Sequence, residues 1–126
     1  MSGLNTKATK TGRTLVAETG NAAGAQTTGD ALDLTEVLGL TVIGRVTNGS
    51  SGPSEGCAMV VEISHDGTTW RRWSRQQAGT EDDQAYTFVV DLPPSVLHAR
   101  VVFEGNTGEA VTVEALGHEL TGVSHA

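Results

Sequence analysis

Apolar and polar residues alternate with a period of two along much of this sequence, and this feature most limits what the chain can fold into. Alternation of this kind places every second side chain on one face of a β-strand. It is clearest in residues 57–64, where the side chains predicted to face a core are Cys57, Met59, Val61 and Ile63. This segment is therefore predicted to be a strand with one buried face.

Other short segments show a similar pattern, and turn residues separate them. They are residues 38–46, 69–75, 86–92, 99–103 and 111–116. Strands that recur about every 10–12 residues, with hardly any helical pattern between them, are typical of antiparallel sandwiches. The predicted fold is all-β, an antiparallel β-sandwich or jelly roll of about seven or eight strands with an extended N-terminal arm.

Glycine and proline mark the predicted turns. Gly67 is expected to supply the positive φ of a tight hairpin, and Pro93-Pro94 to stop the strand before it. Gly44 interrupts an apolar face and indicates a bulge or a close approach of the backbone. Asp30 or Asp33 is a candidate cap for a short helical turn.

The first thirty residues differ from the rest of the chain. Residues 1–30 contain seven Thr, five Gly and no aromatic residue. Only Leu15–Ala17 is predicted to form a strand there, and residues 19–29 are predicted to be a loop. The expected organisation is an arm, residues 1–30, followed by a β-sandwich domain, residues 31–126. The arm is either loose in the free monomer or ordered against a neighbouring subunit.

Composition excludes several classes of function. The chain has 126 residues, a formal net charge of −7 and a single cysteine, so we expect one domain without an internal disulfide. The acidic balance disfavours nucleic acid as a partner. A run of about 18 apolar residues is lacking, so no membrane partner is expected. The N-terminal segment does not resemble a secretory signal.

No catalytic residue, metal ligand or cofactor is predicted. Cys57 is expected to be a buried, inert thiol in the middle of a strand. The four histidines lack ligand spacing, and residues 81–83 are expected to form a solvated acidic loop. Two strands could still bring together a carboxylate pair for glycoside hydrolysis, although aromatic residues make up only 4% of the chain.

The segment Trp70–Arg75 is the most informative stretch, because it holds both tryptophans and half of the arginines. On a regular strand Trp70 and Trp73 point to opposite faces, so one is expected in the core and the other at the surface. Three interpretations remain open. The segment is an amphipathic edge strand whose arginines balance nearby acids, a protein contact surface, or a platform for sugar stacking.

Four short patterns carry a resemblance that covers residues 58–116. They are Val-Glu-Ile-Ser-x-Asp-Gly-Thr-Thr-Trp, Phe-Val-Val-Asp-Leu-Pro, Ala-Arg-Val-Val-Phe-x-Gly-Asn-Thr-Gly and Ala-Val-Thr-Val. The chain resembles small β-sandwich structural proteins of tailed bacteriophages. It is also similar to discoidin or galactose-binding-type jelly rolls, but Val102 or Phe103 stands where a second arginine usually follows the Ala-Arg pair.

The phage resemblance implies a non-enzymatic capsid decoration (cement) protein on the outer surface of the head, made in the host cytoplasm. Its implied partners are the major capsid protein and copies of itself, as a homotrimer. The alternatives are a carbohydrate-binding module of a tail or baseplate and a ring-forming tail or neck protein. The predicted contact residues are Lys7, Lys10, Arg13, Leu15 and Val16 of the arm, and Trp70, Arg71, Arg72, Trp73 and Arg75.

Overall fold

The structure is a computed structural model that describes residues 6–125, and these form strands, turns and loops without a helix. The strands are β1 (Thr6–Asn21), β2 (Thr27–Thr28), β3 (Leu32–Asp33), β4 (Gly39–Asn48), β5 (Ala58–Ser64), β6 (Trp70–Gln77), β7 (Ala85–Leu92), β8 (His98–Glu104) and β9 (Val111–His125). The predicted all-β class is confirmed. Asp33 begins a short polar turn rather than a helix, and its carboxylate accepts hydrogen bonds from Thr35.

Two antiparallel sheets form a sandwich. Sheet A has the order β1-β9-β4-β7, and sheet B has the order β2-β8-β5-β6 with β3 also paired to β8. Because β2 and β3 share one partner, they behave as one interrupted strand. The pairs are then nested: β1 with β9, β2 and β3 with β8, β4 with β7, and β5 with β6. A long hairpin rolled up in this way is a jelly roll.

The core lies between the sheets, and period-two alternation fills it as expected. Met59 and Val61 of β5, and Cys57 directly before it, are buried there, and Ile63 packs against them at the edge of the cluster. Ala58 and Val60 on the other side of β5 are buried too, so the prediction of a single buried face for this segment is wrong. Gly44 of β4 lies directly across from Met59, because a Cβ on Gly44 would overlap the Met59 sulfur. The register of β4 with both neighbours is unbroken. Gly44 therefore marks a close approach between the sheets and not a bulge.

A buried pair of asparagines ties the end of β1 to the turn between β8 and β9. The Asn21 side-chain amide donates to Asn106 Oδ1 at 2.6 Å and to the carbonyl of Ala25 at 3.1 Å. The Asn106 amide donates to the carbonyls of Asn21 and Glu109. Since these amides are satisfied, the pair can be buried without a desolvation penalty that would outweigh its bonds.

The N-terminal segment forms a longer strand than its pattern indicated. β1 pairs with β9 from Thr6, opposite His125, to Asn21, opposite Val111. The sequence predicted a strand only at Leu15–Ala17 and a loop from residue 19. Most side chains of β1 are exposed, so threonine-rich β propensity is present there without apolar alternation. An edge strand whose side chains are exposed to solvent along most of its length therefore shows no apolar–polar alternation in its sequence.

We expect Gly44→Ala to destabilise the fold by about 1–3 kcal/mol, because the added methyl group overpacks the core against Met59. The matched control is Gly12→Ala in β1, where an added Cβ meets nothing within 4 Å. Urea unfolding of both variants measures the difference. Equal stabilities would show that Met59 moves aside without cost.

Candidate functional site

A surface groove lies between the β5–β6 hairpin and residues 93–97, which follow β7. Its volume is about 510 Å³. The residues that line it are Ile63, Ser64, His65, Asp66, Thr69, Arg71, Trp73, Pro93, Ser95, Val96 and Leu97. We call it the Trp73 groove, because the indole of Trp73 is its largest side chain and is 46% exposed. Apolar side chains, with an exposed aromatic ring among them, and several polar groups line it together, a combination found in ligand-binding clefts.

A β-bulge directs Trp73 into this groove. On β5, Val61 pairs with Ser74 and the next residue, Glu62, pairs with Arg72, so Trp73 is the extra residue of β6. A bulge leaves one residue unpaired and re-aims its side chain. Trp73 consequently lines the same groove as Ile63, whose side chain packs against the core.

Trp70 lies on the opposite, outer face of sheet B. The guanidinium carbon of Arg100 stands 4.4 Å from the centre of the Trp70 ring, and Arg100 Nε donates to Glu62 Oε1 at 2.7 Å. This stacking is a cation–π contact. The expectation that one tryptophan packs in the core is wrong, since Trp70 is half-buried and Trp73 exposed. Both belong to an edge strand, and the inner face at Trp73 opens into the groove.

The hairpin turn that forms one wall of the groove is held by Asp66. Its Oδ1 accepts hydrogen bonds from the backbone N–H groups of Thr69 at 2.8 Å and Thr68 at 2.9 Å, and from the Ser64 hydroxyl at 3.1 Å. The bonds from Thr69 and Thr68 hold the pKa of Asp66 well below its usual range. Gly67 has a φ of 81°, as predicted for this turn.

The arginines of β6 do not form one patch. Arg71 lines the Trp73 groove, whereas Arg72 lies opposite Glu62 on the outer face of the sheet. Arg75 reaches Gln77 Oε1 at 3.4 Å along the same strand. Of the predicted contact residues on β6, the structure therefore brings together Arg71 and Trp73.

The predicted arm residues divide into exposed and engaged groups. Lys7 and Lys10 are exposed. Arg13 Nη1 donates to Glu119 Oε1 at 2.7 Å, and Glu119 is only 6% exposed, so this guanidinium neutralises a buried carboxylate. Leu15 and Val16 belong to the hydrophobic core, so their contacts in this structure are intramolecular.

The ends of β1 and β9 continue past the rest of sheet A. The pairing of β4 with β9 ends at Gly39 opposite Leu120, whereas β1 pairs with β9 as far as His125. We call the part formed by residues 6–10 and 120–125 the terminal ribbon. It carries Lys7 and Lys10, and it lies on the sheet that does not contain the Trp73 groove.

Groups that commonly carry covalent or metal chemistry are dispersed. Burial raises the pKa of the Cys57 thiol to about 11, which keeps it protonated at neutral pH. Among residues 6–125, no three His, Cys, Asp or Glu side chains are placed to hold a metal ion together. Across the same range, no helix is long and apolar enough to cross a membrane.

Sequence reasoning missed half of the groove. Residues 93–97 supply Pro93, Val96 and Leu97, and Leu97 is an exposed apolar side chain. These residues lie 16 to 20 positions beyond Gln77, where the hairpin ends, and show no periodic pattern. The apolar pair Val96-Leu97, separated from Pro93-Pro94 by Ser95 and outside any predicted strand, was the only available signal.

Comparisons with known proteins show the fold but not a family. No protein-family model matches the sequence, and no curated protein matches it. A chain from the structure of the Gx strain of infectious bursal disease virus is similar over 92% of this protein, with a TM-score of 0.57 and 12% identity. A chain of that virus's VP2 subviral particle also covers 92%, with a TM-score of 0.55 and 14% identity.

This protein spans about one third of those viral chains, 33% in both cases. A third similar structure is the K3 cleaved adhesin domain of Lys-gingipain from Porphyromonas gingivalis. That match has a TM-score of 0.54 and 9% identity, and covers 79% of this protein and 72% of the adhesin domain. The chain therefore has a fold that is found in virus particles and in a bacterial adhesin.

We expect Asp66→Asn to weaken the fold at neutral pH, because the ionised carboxylate is the stronger acceptor for the turn. The pKa of Asp66 is lower in the folded chain than the value of about 3.9 in the unfolded chain. The ionised carboxylate therefore stabilises the fold at a pH above about 3.9, and this contribution is lost as the pH falls towards the folded-state pKa. Urea unfolding at pH 7 and pH 3 should show the variant's deficit shrinking in acid. Asp30→Asn, at an exposed residue, is the control. A loss of stability in Asp66→Asn that is the same at both pH values would contradict the prediction.

Proposed function

We propose that the chain is a non-enzymatic structural protein of a virus particle, a capsid decoration protein of a tailed bacteriophage. The observation that carries this proposal is the jelly-roll topology, which it shares over 92% of its length with a chain of a virus particle. The resemblance to small phage β-sandwich proteins narrows the role to decoration. The proposed partners are the major capsid protein and other copies of this chain, as a homotrimer.

The terminal ribbon is the part best suited to bind a shell. It presents Lys7 and Lys10 to solvent, whereas the whole chain carries a net charge of −7. This local positive charge favours an acidic patch on a capsid protein and disfavours contact between the ribbons of two copies. Several ribbons in one oligomer bind together, so weak single contacts add up to high avidity.

Arg13 is a poor choice for testing this contact, although it was predicted as part of it. Its guanidinium neutralises the buried carboxylate of Glu119. Removing it would leave that carboxylate unpaired and would weaken the fold as well as any contact. The two lysines separate docking from stability, because both are exposed.

We expect the double variant Lys7→Gln, Lys10→Gln to bind heads about fivefold more weakly per copy, since each exposed charge pair contributes about 0.5 kcal/mol. Co-sedimentation with heads stripped of the protein, at low and high salt, measures the loss. Arg45→Gln, which removes a positive charge from the exposed face of β4, is the control. Unchanged binding by the lysine variant would remove the ribbon from the contact.

Copy number distinguishes decoration from the alternative of a ring-forming tail or neck protein. Decoration requires many copies per particle, spread over the head, whereas a ring closes with a few copies at one vertex. Quantitative mass spectrometry of purified particles measures this number. A value that fits a single ring would replace the decoration proposal with the ring.

The Trp73 groove favours a second candidate function, a carbohydrate-binding module of a tail or baseplate. An exposed indole offers a flat apolar surface, and Arg71 and the hydroxyl groups of Thr69 and Ser95 line the same groove. A pyranose ring needs both kinds of contact, because one of its faces is apolar and its rim is polar.

If glycan binding is the function, Trp73→Ala lowers glycan affinity by at least about tenfold, or ~1.4 kcal/mol, while assembly is unaffected. Trp70→Ala is the matched control, because its ring stacks under Arg100 on the other face of the sheet. A glycan array followed by titration calorimetry measures both variants. Equal loss in the two variants, or no signal for the unmodified protein, would reject this function.

A further inference from the structure

The edges of the two sheets are protected unequally. The β1 edge carries three basic residues, Lys7, Lys10 and Arg13, and its pairing with β9 is interrupted by three register shifts. The β6 edge carries three arginines and the bulge at Trp73. At the remaining edge of sheet B, β2 and β3 are only two residues long each. Charges, bulges and short strands are the usual devices that prevent another strand from pairing with an edge.

β7, the other edge of sheet A, has neither a bulge nor a short length and carries a single charge. Its eight residues, Ala85–Leu92, read AYTFVVDL and contain one charge, Asp91, with no lysine, arginine, glycine or proline. Its register with β4 is unbroken along the whole strand. Within the described chain, no backbone hydrogen bond from a loop reaches residues 86–92. A long, regular, apolar edge is a template for another strand.

The outer face of sheet A carries an apolar row that ends at this edge. Leu116 of β9 pairs with Ile43 of β4, and Ile43 pairs with Val89 of β7. Leu116 and Ile43 are half-buried, whereas Val89 at the end of the row is 56% exposed. The row is therefore incomplete on the side where the sheet ends.

We propose that β7 pairs antiparallel with β7 of a second copy of this chain, around a two-fold axis at Val89. Residues directly opposite each other in antiparallel strands share a face, so Val89 on the outer face must meet an outer-face residue. Pairing Val89 with itself joins the two apolar rows into one that crosses both sheets. Phe88 then lies opposite Val90 of the second copy, on the inner face.

The charge on β7 favours this register over its neighbours. With Val89 at the axis, Asp91 lies opposite Thr87 of the second copy, which can donate a hydrogen bond to it. A shift by two residues along one strand places Asp91 opposite Ala85, and an axis at Asp91 places two carboxylates face to face. The proposed register is therefore the one that matches apolar residues with apolar ones and gives Asp91 a polar partner.

A second copy fits this edge because the edge is self-complementary, and two-fold pairing closes without leaving a free β7. Two strands of this length bury less than about 1,200 Å² in total, so the pairing is weak and depends on concentration. It uses neither the terminal ribbon nor the Trp73 groove. It is therefore independent of the proposed function, and in combination with a trimer whose three-fold axis meets this two-fold axis at a right angle it produces hexamers.

Sedimentation equilibrium up to several hundred micromolar tests the association. The unmodified chain should double its mass with concentration, from monomer to dimer or from trimer to hexamer. Val89→Lys should weaken this step at least tenfold, because it places a charge at the edge. The control is Leu38→Lys, which changes an exposed leucine (48%) outside β7, the terminal ribbon and the Trp73 groove and should associate like the unmodified chain.

Cross-linking tests the register. Val89→Cys should form a covalent dimer with a short bis-maleimide, since residues opposite each other lie about 5 Å apart at Cβ. Thr87→Cys should not, because the two Thr87 positions are offset by about 13 Å along the strands. Buried Cys57 gives a silent background. An unmodified chain that never doubles its mass, open-ended aggregation in place of dimers, or equal cross-linking at residues 87 and 89 would overturn the proposal.

Discussion

The pairing of the first strand with the last is the interaction on which the rest of the structure depends. Without β1, the core would lose Val16 and also Leu15, which lies beside Gly117 and Leu40. The same pairing decides which surfaces remain available. It makes β1 and β7 the edges of sheet A, and it carries the basic residues of the N-terminus out along the terminal ribbon.

Much of the fold could be predicted from the apolar–polar alternation along each segment, because most strands have one buried and one more exposed face. β4, whose buried residues Leu40, Val42 and Val46 alternate with less buried ones, is the clearest example, and the end of β7 before Pro93 followed from the chemistry of proline. β1 could not be predicted in full. Its pairing partner lies about a hundred residues away, and its exposed threonines carry no information about a face.

The candidate site was predictable only in its residue types. Tryptophan and arginine in β6 indicated a contact surface, and Trp70 and Trp73 lie on opposite faces as alternation predicts, yet the bulge at Trp73 was not predictable from the sequence. The position of the extra residue depends on how β6 aligns with β5, which no single segment encodes. The approach of residues 93–97 to the hairpin is likewise a consequence of how the jelly roll closes.

The side-by-side placement of Thr6 and His125 has a mechanical consequence. Tension applied through both ends of the chain would pull β1 and β9 apart from one end, so each hydrogen bond of the pair would bear the load in turn. Antiparallel strands loaded in this way unzip at low force, whereas strands pulled lengthwise past each other share the load among all their bonds. A tether attached through either end alone would spare the sandwich from this peeling.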